Sequence, residues 1–160
     1  MLRWFMTGLL YLMISAAWAQ NIDRSELQKL AEQQTPLLLQ TLDKLVSIES
    51  GSRDMEGLKK IRELIESELK ALGLTPEVIA AAVPSKTGSM VQTKIKGSGL
   101  SKIALIAHMD TVYLRGMLAQ QPFRIDGNRA YGLGIADDKQ GVALIIHTLS
   151  VLKAMNFRDH

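Results

Sequence analysis

Residues 102–108 read KIALIAH, apolar or small at every position between the lysine and the histidine. A strand with one wet face alternates apolar and polar side chains, whereas a strand covered on both faces reads as a continuous apolar run. The run therefore predicts a central strand with layers above and below it, the arrangement of an α/β domain. The rest of the chain must then supply covering helices and neighbouring strands that satisfy the backbone.

Helical patterns lie on either side of this run. Residues 20–34 are polar and read as a loosely held helical arm. Thr35-Pro36 then predicts an N-cap followed by proline at the first helical position, where a missing N–H costs nothing. Leu38, Leu42, Leu45 and Val46 follow at helical spacing until Ser50-Gly51. Asp54 predicts the cap of a second helix, whose Leu58, Ile61, Leu64, Ile65, Leu69 and Leu72 recur every three or four residues up to a stop at Gly73. The period then becomes extended in TPEVIA (75–80) and MVQTKIKG (90–97), separated by a turn containing Pro84, Ser85 and Gly88. Residues 116–128 read as irregular, and VALIIHTLSVLKAM (142–155) predicts a last apolar helix.

A chain of 160 residues has room for one domain with a core. Its 19 Lys+Arg and 16 Asp+Glu are interspersed, and its three Phe, three Tyr and two Trp are not interleaved with basic residues, which argues against nucleic acid as a partner. Residues 1–19 combine Arg3, an apolar core and Ala17-Trp18-Ala19, the pattern of an export signal cleaved before Gln20. A membrane anchor is the plainer alternative, but the apolar run falls short of the roughly 20 residues a spanning helix needs. The expected destination is the periplasm or the medium, with no stable membrane anchor. The sequence contains no cysteine, so any metal must be held by His, Asp and Glu.

Two short segments could carry chemistry. In an extended chain His108 and Asp110 project to the same side, at the carboxyl end of the expected central strand, where open α/β sheets bind ligands. A neutral imidazole suits zinc, and a carboxylate on its far nitrogen fixes the tautomer. A histidine satisfied by local hydrogen bonds fits the same spacing. The second segment, GLGIADDKQG (132–141), sets Asp137 beside Asp138, a costly pair unless a cation or solvent offsets the repulsion. Asp137 suits a bridge between two metal ions about 3.5–4 Å apart. Asp138 suits the N-terminus of the following helix, as cap and as partner of the helix dipole. His147 reads as a packed helix residue, and His160 has no sequence partner that would make it functional.

Together HMDTVYLRG (108–116), FRIDGNRAYGLGIADDKQG (123–141) and the helix after them resemble the amino-terminal part of the catalytic domain of M20-family zinc metallopeptidases, in particular glutamate carboxypeptidases of the carboxypeptidase G2 type. The resemblance runs from about Thr35 onward and is densest over 103–152. It implies a zinc-exopeptidase-like (phosphorylase/hydrolase-like) α/β fold over 35–160, a layered sheet with flanking helices truncated after the second metal motif. It also implies His108 as ligand of one zinc, Asp137 as the carboxylate bridging two, Asp110 as the catalytic aspartate that orients His108, and a cis Asp137–Asp138 peptide. Gln140 stands where relatives commonly carry glycine, outside the ligand set.

Relatives activate water with a glutamate of a later Glu-Glu pair, take further ligands beyond it, and form homodimers through a small inserted domain. No Glu-Glu pair occurs in the 160 residues. The expectation is an incomplete and by itself inactive portion of an enzyme that hydrolyses a C-terminal amide bond in a peptide or folate-like substrate, with two zinc ions in its complete form. A non-catalytic α/β remnant or binding module is one alternative; another M20 activity, such as aminoacylase, dipeptidase or deacetylase, is a second. An unpaired sheet edge would make the isolated chain marginal or aggregation-prone.

Overall fold

A computed structural model describes residues 23–83, 88–158 and 160. The expected export signal (1–19) and the Pro84-Ser85 turn lie outside the described residues.

Helix α1 spans Arg24–Val46, opened by the Asp23 carboxylate, which accepts the Ser25 N–H at 2.8 Å. It runs unbroken through Thr35-Pro36, so the expected start at Thr35 is corrected. The upstream cap makes residues 24–34 the first turns of one helix, and Pro36 lies inside it, without the bond it would have donated to the preceding turn. Thr35 caps nothing; its hydroxyl donates back to the Ala31 carbonyl at 3.2 Å. Helix α2, Met55–Ala71, follows the expected pattern, with Asp54 Oδ1 accepting the Gly57 N–H at 3.0 Å. Gly73, at φ +76°, ends it: Leu74 N–H reaches back to Leu69 O and Gly73 N–H to Lys70 O, which satisfies two terminal carbonyls.

Strand β1 (Glu77–Ile79) pairs antiparallel with β2 (Met90–Gln92), Val78 facing Val91. A second antiparallel pair, β3 (Arg124–Asp126) and β4 (Arg129–Tyr131), turns at Gly127-Asn128 inside and just beyond the region expected to be irregular. Asp-Gly-Asn between short runs was the available signal for that hairpin. Helix α3, Gln140–Ala154, closes the fold close to its expected bounds.

The central strand is the main correction. Among the described residues, 102–110 belong to no strand, and Ile103, Leu105 and Ile106 are 66, 45 and 87% exposed. Apolar composition favours burial, but a strand exists only through a neighbour that takes its backbone bonds. Backbone pairing begins only at Thr111, in a parallel bridge to Gly51. No layered parallel sheet is therefore present among the described residues; the α/β character rests on three helices and two two-stranded antiparallel sheets.

Leu42, Leu45 and Val46 of α1 meet Ile61, Ile65 and Leu69 of α2 and Val142, Ala143 and Ile146 of α3 in one core. The Lys153 ammonium donates to Leu72 O at 2.6 Å, placing a cation on the C-terminus of α2. His147 is buried as expected, bridging α3 to α1 through Gln34 Oε1 (2.7 Å) and the Thr41 hydroxyl (2.9 Å). No helix among the described residues is long and apolar enough to cross a membrane.

Two outcomes follow. Ile106→Lys should change stability by less than about 0.5 kcal/mol in a denaturant melt, since its side chain lies at the surface; a loss of several kcal/mol would mean that the segment is buried. Burial holds the His147 pKa below its ordinary 6.5, against Glu68, which raises it, and with Lys44, which lowers it further. The unfolded chain then takes up the proton first, so stability falls as pH drops through about 6.5 toward the folded-state value. Thermal melts from pH 7.5 to 5 should show a steeper decline for the wild type than for His147→Gln.

Candidate functional site

Local bonds fix the end of the first motif. The Ser50 hydroxyl donates to Met109 O at 2.8 Å and Thr111 N–H to Ser50 O at 2.8 Å. Ser52 donates to Thr111 O through both its N–H (2.9 Å) and its hydroxyl (3.1 Å). His108 and Asp110 thus stand on a backbone held at 109–111, beside the chain leaving α1.

The second motif is a tight turn. Residues Ile135–Lys139 form a tight kinked turn before α3, with non-helical backbone at Asp137 and Asp138, whose shared peptide is cis. Gly134 precedes it at φ +77°, and a Cβ there would lie 2.5 Å from Thr111 Cγ2. Glycine thus permits both the left-handed backbone and the close approach of the two motifs. Asp138 does not act as the expected N-cap: that position is Lys139, which makes no side-chain cap bond. The Asp138 carboxylate instead occupies the space over Gly141, in the first turn of α3, where negative charge suits the dipole.

His108, Asp110 and Asp137 stand together. His108 Nδ1 lies 3.1 Å from both Asp110 Oδ1 and the Asp110 carbonyl oxygen, and Nε2 lies 2.8 Å from Asp137 Oδ1. Both ring nitrogens face oxygen acceptors, which favours the imidazolium. The His108 pKa is raised, chiefly by the bond to Asp137, with partial desolvation opposing and Asp110 adding to the rise. Asp137 is largely exposed. The imidazole nitrogen and carboxylate oxygen are donors suited to a borderline-soft cation, and Asp110 occupies the orienting position behind the ring. No cluster of three or more metal-binding side chains is found among the described residues.

Several residues that shape the site had no readable sequence signal. Lys139 is 1% exposed, and its ammonium donates to Ile48 O at 2.7 Å. Burial lowers its pKa to about 8, with Glu49 opposing. A lysine after two aspartates reads as a solvated charge. Glu49 Oε1 accepts the Gly116 N–H (2.7 Å) and the Leu118 N–H (3.0 Å). Arg115 clamps Asp54 through two nitrogens and reaches Glu56 at 3.1 Å, which lowers the Asp54 pKa. His160 lies away from this cluster, its Nε2 3.3 Å from Ile95 O and its ring stacked on Phe157.

The chain matches, over residues 104–160, the pattern described as peptidase family M20/M25/M40. It is 46% identical over 144 residues to carboxypeptidase G2 of Pseudomonas sp. (strain RS-16), an alignment covering 90% of this chain and 34% of that protein. It is also 31% identical over 108 residues to a provisionally named succinyl-diaminopimelate desuccinylase, DapE, of Mycobacterium tuberculosis (strain CDC 1551 / Oshkosh), covering 68% of this chain and 27% of the relative. The chain thus spans about a third of the length of the first relative and about a quarter of the second.

Gly134→Ala should destabilise the protein by about 1–3 kcal/mol in a chemical melt, because a Cβ meets both a left-handed backbone and Thr111.

Proposed function

We propose that this chain is a portion of a zinc-dependent exopeptidase that hydrolyses a C-terminal amide bond, releasing glutamate or a similar amino acid from a peptide or folate-like conjugate. The observation that carries the reading is the convergence of His108 Nε2 and Asp137 Oδ1, with Asp110 behind the ring. With a cation bound, His108 would present a deprotonated Nε2 and keep its Nδ1 proton directed at Asp110. Asp110 thereby holds the imidazole in one tautomer and one orientation. Asp137, exposed and facing the same point, would be the carboxylate shared between two ions. Zinc, when bound, polarises the scissile carbonyl and lowers the pKa of water toward neutrality. The substrate-binding groups and the general base lie outside the residues named here.

His108 and Asp137 are two ligands, against the three protein ligands usual at a catalytic zinc. The 160 residues alone are therefore expected to bind zinc weakly and to hydrolyse nothing. The N-terminal charge, apolar core and small-residue pattern support export to the periplasm or medium. The similarity to DapE favours a second reading, another M20 amide hydrolysis such as removal of an N-acyl group.

The test is made on the protein at its natural length, purified from its source, with zinc content and glutamate release from glutamate-terminated peptides measured together. Hydrolysis with about two zinc ions per chain is expected. His108→Ala and Asp137→Ala should abolish it, and Asp110→Asn should lower zinc affinity or rate about 10–100-fold. Succinate release without glutamate release would favour the second reading. A zinc-free protein without hydrolysis would favour a remnant or binding module.

A further inference from the structure

We infer that residues 48–52, the chain leaving α1, form a common base on which both motifs of the candidate site are registered, and that Lys139 and Glu49 are positioning residues seated on it. Their chemical meaning rests on the function proposed above, but their geometry does not.

Three separate segments converge on these five residues. Met109 and Thr111 are tied to Ser50 and Ser52 by the bonds described above, and Gly51 passes so close to Tyr113 that a Cβ would lie 2.5 Å from its carbonyl oxygen. The loop at 116–118 is held through its N–H groups by Glu49. The Asp137–Asp138 turn is held through Lys139, whose ammonium reaches Ile48 O across 91 positions of sequence. Only about 10 Å³ of cavity remains where Glu49, Ser50, Thr111 and Lys139 meet, no more than room for one water molecule.

Magnitudes show why a base is needed. The direct link between the motifs, His108 to Asp137, is half or more exposed on both sides, and exposed pairs of this kind contribute about 0–1 kcal/mol. Such a pair cannot by itself hold two loops in register. A buried ammonium, in contrast, is costly unless its hydrogen bonding compensates. An apolar side chain of similar length would fill the Lys139 slot without that cost, so what lysine adds is the bond to Ile48 and the charge facing Glu49.

Amide hydrogen exchange, read by mass spectrometry on the full chain without metal or substrate, tests the inference independently of any hydrolytic activity. Lys139→Met should speed exchange at 132–139 and 108–119 about tenfold while leaving α2 at the wild-type rate. Glu49→Ala should speed the same two segments, and Glu49→Gln, which keeps an acceptor for Gly116 and Leu118, should restore the loop at 116–118. Unchanged exchange at 132–139 in Lys139→Met, or an equal rise in α2, would reduce Lys139 to a packing residue and overturn the inference. If Lys139→Met does not fold, Glu49→Ala against Glu49→Gln decides: two variants that exchange alike count against the base.

Discussion

The burial of the last turn of α1 in the core it shares with α2 and α3 is the constraint on which everything else depends. Leu45 and Val46, in that turn, are all but removed from water, in one apolar cluster with side chains of α2 and α3. Burying such side chains is worth about 1.5–3 kcal/mol each, more than any exposed contact in the molecule can supply. Once that last turn is fixed, the residues after it have a fixed origin. The Thr111 bridge and the Lys139 bond are then measured from the core rather than from a mobile loop. Core packing and site geometry are parts of one arrangement, because the helix that ends in the core begins the site.

The helices were legible and the central strand was not, for physical reasons that differ. Leu58, Ile61, Ile65 and Leu69 declare α2 because a helix satisfies its own backbone and its buried stripe is written at local spacing. The run at 102–108 declares only that its side chains favour burial; whether it becomes a strand depends on bonds from a distant part of a chain. Pro36 misled in the opposite direction, since a proline reads as a helix start until an upstream cap such as Asp23 makes it interior. In the site, the spacing of His108 and Asp110 and the resemblance of the two motifs pointed to the same three residues that the fold brings within hydrogen-bonding distance. Lys139 and Glu49 were illegible because their roles are set by what they touch across the fold, and their local sequence resembles that of solvated charges.

Family resemblance and geometry inform different questions. The M20 match over residues 104–160 says which family pattern the sequence resembles, while alignments covering about a third or less of each relative leave the activity to experiment. The geometry adds what sequence similarity does not contain: an imidazole with both nitrogens engaged by carboxylates, and a turn whose glycine admits the side chain of Thr111.

The pairing at 111, and its absence across 102–110, has a consequence for how this segment can vary. His108 takes its position mainly from the residues that follow it, and from the apolar run only through Ala107, which packs against the core. Ile103, Leu105 and Ile106 stand in solvent, while Met109 and Thr111 carry the tethers. The histidine is in effect hung from its downstream side, as a hook is fixed by its shank. Changes of shape or size upstream must pass through a single junction before they reach the imidazole, whereas a change of one residue on the other side arrives undamped.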